Sequence, residues 1–217
     1  MLITRGLLLT LEGIDGCGKS TQIGILEKRL HDSGISYITV REPGGTAVGE
    51  NIRQVLLDNN YSPSLQAELF LYMAARSELT EQVILPALLA GKIVLCDRFT
   101  DSTLAYQGYG GGANLSLIRY LNRQATGGIS PDLTILLDLS VEEAAGRRGA
   151  TADRMESKDF WYHQRVRGGY IEIANEEEQR VKIVDASDDM ESQGRIIWNL
   201  VQELIAGHTS ARGTNEF

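Results

Sequence analysis

The strongest constraint on this chain is the run Gly13-Ile14-Asp15-Gly16-Cys17-Gly18-Lys19-Ser20, which satisfies the G-x-x-x-x-G-K-[ST] phosphate-loop pattern. Before it comes Leu7-Leu8-Leu9-Thr10-Leu11, an apolar run of strand length. After it, Ile23, Leu26 and Leu30 recur at the three- and four-residue spacing of a helix face. Strand, glycine turn and helix in that order turn the pattern into a binding site. The glycines let backbone N–H groups close around phosphate oxygens, and the helix start at Lys19, Ser20 and Thr21 adds partial positive charge. Lys19 is expected at the β/γ-phosphates of a nucleotide, and the Ser20 hydroxyl at Mg²⁺.

The rest of the chain alternates in kind. Residues 37–41, 92–97, 133–138 and 181–185 read as four further strands. Between them, helical spacing covers 47–57, 64–89, 115–125, 141–148, 160–177 and 190–206. Ser64 is expected to cap the second of these and Pro86 to kink it. Continuously apolar strands alternating with helices predict an α/β fold of P-loop NTPase type, a five-stranded parallel sheet with helices on both faces. Ligands bind at the carboxyl ends of such strands. The phosphate loop, Arg41-Glu42, Asp97-Arg98 and the segment after Asp185 all fall on that edge. Residues 1–206 are expected to form one domain with a small mobile lid at about 147–158, and 207–217 a polar, disordered tail. Gly108-Tyr109-Gly110-Gly111-Gly112 reads as a flexible loop.

Charge and cysteine usage narrow the function. The net charge of −8 disfavours nucleic-acid polymers and acidic membranes as partners, since those need a cationic surface. An anionic substrate must be met by local arginines. Cys17 and Cys96 make neither a disulfide framework nor a metal pattern, and His31, His163 and His208 are scattered. No signal pattern and no apolar run of membrane-span length is present, so a cytoplasmic setting is expected.

Asp97 closes an apolar strand, where a P-loop enzyme keeps its second carboxylate for the Mg²⁺ water shell. The alternative is a helix N-cap, since Thr100-Asp101-Ser102 opens a helix. Arg98 follows at once and suits a bidentate phosphate contact.

Four segments then combine: Glu12 to Thr21, Arg41-Glu42-Pro43-Gly44-Gly45-Thr46, Tyr72-Met73-Ala74-Ala75-Arg76-Ser77, and Asp97-Arg98-Phe99-Thr100-Asp101-Ser102-Thr103-Leu104-Ala105-Tyr106-Gln107-Gly108. In order and spacing they resemble the thymidylate kinase family, bacterial type, over about residues 6–206. The resemblance implies ATP-dependent phosphorylation of dTMP to dTDP, with Mg²⁺, by a homodimer. It implies that Asp15 contacts the 3′-hydroxyl of the acceptor sugar, that Arg76 and Arg98 hold the dTMP phosphate, and that Arg41 and Pro43 border the substrate. Tyr72 stands where a ring stacks on thymine. Thr103 and Gln107 fall near the base edge and sugar, and Tyr106 crowds the sugar 2′ position. Arg147, Arg148 and Arg154 match a basic lid that supplies charge to ATP.

Phosphoryl transfer itself asks for such an arrangement, because two anions must be aligned and water shut out. Arg147-Arg148 also suits a solvated helix C-terminus. Two other functions fit the motifs less well. One is a kinase of another pyrimidine monophosphate, since a methyl-sized difference discriminates by only about 1–3 kcal/mol. The other is a P-loop switch, against which stands the lack of an Asn-Lys-x-Asp motif.

Overall fold

The computed structural model describes residues 5–147 and 152–213. Five strands, Leu8–Glu12 (β1), Tyr37–Arg41 (β2), Ile93–Asp97 (β3), Leu133–Asp138 (β4) and Val181–Asp185 (β5), form one parallel sheet in the order β2-β3-β1-β4-β5. Side chains alternate across it. Leu8, Val94 and Cys96 pack one face against Leu79, Ile84, Leu88 and Phe99. Leu9, Leu11 and Leu95 pack the other face against Leu26, Leu30 and Ile197. The three central strands are buried along almost their whole length, and the edge strands β2 and β5 are partly exposed. That is why β2 tolerates Tyr37 and Thr39 and β5 tolerates Lys182.

The helices are Lys19–Asp32 (α1), Ala47–Leu57 (α2), Leu65–Leu79 (α3), Leu85–Leu89 (α4), Thr100–Thr103 (α5), Leu115–Ala125 (α6), Val141–Arg147 (α7), Phe160–Glu176 (α8) and Met190–Gly213 (α9). Ser64 caps α3 through Ala67 N, as its position predicts. Three expectations are corrected. The irregularity in the 64–89 run is not a kink at Pro86 but a π-helical turn at Thr80–Ile84, with Pro86 in the first turn of α4. The wider turn relieves the missing proline N–H and its clash with the carbonyl four residues back. The first part of the glycine-rich run after Gln107 is not a loop, because Leu104–Gly110 forms a second π-helical segment packed on α8, and only Gly111-Gly112 lie outside it. A Cβ at Gly110 would lie 2.7 Å from Val166 Cγ2, so the glycine serves close packing rather than freedom. Residues 207–213, expected as tail, continue α9, and His208 Nε2 lies 3.0 Å from the carbonyl of Arg5. Extending a formed helix costs far less than starting one.

The strands end in Glu12, Arg41, Asp97, Asp138 and Asp185, so the carboxyl edge is rich in carboxylates. Strand order then distributes the site. The loop after β1 lies centrally, the segments after β2 and β3 to one side, and those after β4 and β5 to the other. This is the topological switch point of an open parallel sheet.

Candidate active site

The phosphate loop is built as its pattern requires. Gly13 has φ 135°, and a Cβ there would lie 2.5 Å from the Leu137 carbonyl oxygen. Gly18 caps α1 in the left-handed region with φ 99° and offers no side chain. The first-turn N–H groups of α1 are therefore open to an anion. Lys19 Nζ donates to the carbonyls of Gly13 and Ile14, each at 3.1 Å. It stands ready to exchange them for phosphate oxygens. Ser20 and Thr21 are exposed. A cavity of about 810 Å³ opens over this loop, towards the upper end of the size range of small-molecule sites. On the β2–β3 side its wall includes Arg41, Pro43, Arg53, Tyr72, Thr103, Tyr106 and Gln107. On the β4–β5 side it includes Arg147, Asp188, Asp189 and Gln193.

Arg98 joins the two halves. Its φ is 68°, and it is the one non-glycine with positive φ among the described residues, a cost that persists only where surrounding structure imposes it. Nη2 donates to Asp15 Oδ1 at 2.5 Å and Nη1 to the Gly13 carbonyl at 2.9 Å. The guanidinium also lies 5.0 Å from the Tyr106 ring centroid, a cation–π distance. No described residue accepts from its Nε, and Arg98 lines the cavity. Burial works against the Arg98 charge, but Asp15, supported by Tyr106, Tyr170 and Asp97, outweighs it and holds the pKa well above the usual value. Burial likewise opposes ionisation of Asp15, yet Arg98 and then Lys19 override it and keep the carboxyl well below the ordinary range. Tyr106 donates to Asp15 Oδ2 at 2.8 Å.

Beneath this pair lies Glu12, fully buried. Its Oε1 accepts from Phe99 N at 2.7 Å, and its Oε2 from Ser102 Oγ at 2.6 Å and Tyr170 OH at 2.8 Å. Burial and then Asp101 push its pKa up to about 7, against the pull of Arg98 and the hydrogen bonds.

Two of the predicted arginines are engaged by protein groups. Arg76 borders the cavity but is 1% exposed. Its five N–H donors go to Glu42 (twice), Thr103, Asn122 and the Phe99 carbonyl. All five are taken by protein acceptors, and the guanidinium neutralises buried Glu42. Arg154 is buried. Its Nε donates to the Leu56 carbonyl at 2.7 Å, and its Nη2 lies 2.6 Å from Glu68 Oε2, out of line for a hydrogen bond. Arg147 does line the cavity and donates to the Ala186 carbonyl at 3.0 Å. Arg148 lies outside the described residues.

Asp97 and Ser20 line the same cavity, and Asp97 Oδ1 is buried with no hydrogen-bond partner among the described residues. An orphaned buried carboxylate oxygen is costly unless a cation or its bound water completes it, so the pair fits Mg²⁺. Arg41 is exposed and paired with Glu50 at 3.2 Å. Sequence reasoning missed Arg53, Glu12 and Tyr170. Arg53 donates to the Pro43 carbonyl at 2.8 Å, and burial and then Arg41 lower its pKa. Its signal was legible, because an arginine interrupts the inward stripe of α2 that carries Gly49, Ile52 and Leu56. Glu12 and Tyr170 gave no signal, because 158 residues separate partners that meet only in the fold.

Two outcomes follow. Arg76→Ala strands Glu42 in the core and is expected to cost about 3–5 kcal/mol in urea unfolding; an unchanged midpoint with only a weaker acceptor KM would restore its phosphate role. Glu12 keeps a proton in the fold between pH 4.5, its ordinary pKa, and about 7, where the unfolded chain has released it. Its contribution therefore falls as pH rises through that window. The stability of the wild type should fall more steeply there than that of Glu12→Gln, and parallel curves would contradict the shift.

Comparison with known proteins agrees with this geometry. The family model for thymidylate kinase matches residues 11–196. The chain is 45% identical over 210 residues to the thymidylate kinase of Symbiobacterium thermophilum, covering 96% of this chain and 98% of that one. It is 44% identical over 207 residues to that of Deinococcus radiodurans, with 93% and 98% covered. The crystal structure of thymidylate kinase from Ehrlichia chaffeensis superposes with a TM-score of 0.76 at 34% identity, over 91% of this chain and 99% of that one. A phosphate loop at the centre of the sheet edge, an arginine locked beside it and this breadth of likeness lead to one assignment: the chain belongs to the thymidylate kinase family.

Proposed function

We propose that the protein transfers the γ-phosphoryl group of ATP to dTMP, giving ADP and dTDP. The observation that carries this reading is a single cavity with the phosphate loop and Arg98 at its centre, walled on one side by Tyr72 and Gln107 and on the other by Arg147. Two nucleotides entering from opposite sides meet there with their phosphates together.

On the donor side, the loop N–H groups and Lys19 hold the ATP phosphates, and Arg147 adds charge. Ser20 and Asp97 would hold Mg²⁺, which when bound neutralises phosphate charge. On the acceptor side, the Tyr72 ring faces the base with Thr103 and Gln107 near its edge. Asp15 orients the sugar hydroxyl, and Tyr106 fills the space a 2′-hydroxyl would need. Arg98 and Arg53 hold the acceptor phosphate, with Arg41 and Pro43 at the rim. Arg98 takes the position first assigned jointly to Arg76 because its Nε remains open. An acceptor phosphate oxygen then attacks the γ-phosphorus, and the bond to the β-phosphate oxygen breaks. Chain groups form no covalent intermediate; they align, neutralise and exclude water.

Residues 1–206 act as one catalytic unit with the segment around 147–158 as its lid. Exposed Val48, Val55, Phe70, Leu117 and Tyr120 on the neighbouring helices α2, α3 and α6 support a homodimer. Free thiols at Cys17 and Cys96 suit a reducing cytoplasm. Among the described residues no helix is long and apolar enough to cross a membrane.

Steady-state assays with dTMP, dUMP, dCMP and dGMP test the reading. ATP turnover should require a monophosphate and be fastest with dTMP, and Lys19→Ala should lower kcat at least about 100-fold without altering the circular dichroism. ATP turnover indifferent to dTMP would overturn it.

A further inference from the structure

The acceptor end of the cavity holds one polar relay that the transfer step does not use. Gln107 borders the cavity and is otherwise buried. Its Nε2 donates to Glu68 Oε1 at 2.8 Å. No described residue donates to its Oε1. A paired carboxylate only accepts, so the NH₂ side of the carboxamide must face Glu68 and the oxygen must face away from it. Turning the amide over would set two acceptor oxygens against each other in a buried site. Glu68 is itself buried, and its other oxygen lies 2.6 Å from Arg154 Nη2. Arg154 supplies the countercharge and is anchored by its own N–H to the Leu57 carbonyl at 3.1 Å and by Nε to the Leu56 carbonyl at 2.7 Å. Tyr72, Leu57 and Met155 supply the apolar part of the same wall.

We propose that Glu68 and Arg154 are positioning residues that lock the Gln107 carboxamide with its oxygen towards the base, so that the site selects pyrimidines with an N–H at ring position 3 over those with a lone pair there. This rests on the assignment of the Tyr72 side to the acceptor base. Thymine and uracil carry that N–H, and cytosine does not. A fixed acceptor oxygen pairs with the first two and repels the third. Sites built on a hydrogen bond reject the mismatched partner far more strongly than sites that count methyl groups. Arg154, within the 147–158 segment, thereby also shapes the acceptor pocket.

The test is kcat/KM for dTMP, dUMP and dCMP in wild type and variants, with thermal melting alongside. Glu68→Gln lets Gln107 turn, and the dCMP-to-dTMP ratio of kcat/KM should rise at least about tenfold while the dUMP-to-dTMP ratio stays within about threefold. Arg154→Met should shift the dCMP ratio in the same direction, and Arg154→Lys, which keeps the countercharge, should hold it within about threefold of wild type. Equal losses on all three acceptors in Glu68→Gln, or an unchanged dCMP ratio in Arg154→Met, would overturn the relay while leaving the reaction intact. A wild type that does not prefer dTMP to dCMP would overturn the reaction assignment as well.

Discussion

The ion pair between Arg98 and Asp15 is the constraint on which the site depends. It ties the residue after β3 to the loop after β1, and it does so across the central strand pair of the sheet. Arg98 reaches Asp15 from a left-handed backbone position that costs of order 1–3 kcal/mol for a non-glycine residue. The surroundings repay that cost by fixing the guanidinium from several sides. Gly13 offers a carbonyl, Tyr106 a ring face, and the buried Glu12 a platform through Ser102 and Tyr170. A cation held this firmly beside the phosphate loop needs little rearrangement when a phosphate arrives, which is the condition for strong electrostatic stabilisation.

An acidic protein that handles two anions faces an electrostatic problem. The parallel sheet makes it worse by ending four of its five strands in carboxylates. The fold answers locally rather than through net charge. Asp138 is taken by Arg167 in a bidentate pair at 2.7 and 2.8 Å. Glu42 is taken by Arg76, and Asp15 by Arg98. Asp97 has no ion pair among the described residues; its Oδ1, like Glu42 Oε1, is buried without a hydrogen-bond partner, and it lines the same cavity as the Ser20 hydroxyl. The arginines therefore divide into those that neutralise the scaffold and those that remain open to ligand.

That division explains what could be read from the sequence. Element type and order were legible because each strand is a short apolar run and each helix carries its stripe. The phosphate loop and Asp97-Arg98 were legible because their chemistry is local in sequence. The ion-pair partners of Arg76 and Arg154 were not legible, because Glu42 and Glu68 lie 34 and 86 residues away and only tertiary packing decides which charge meets which. The glycine run after Gln107 misled for a related reason. Glycine reads locally as freedom, yet Gly110 is required by the close approach of α8.

The most direct test of this account is the position of the acceptor phosphate in a crystal of the protein with dTMP and a non-hydrolysable ATP analogue. The account predicts phosphate oxygens at hydrogen-bonding distance, about 2.7–3.1 Å, from the Arg98 guanidinium, with Arg76 still paired to Glu42. A phosphate seated on Arg76, or an Arg98 side chain turned out of the cavity, would contradict it.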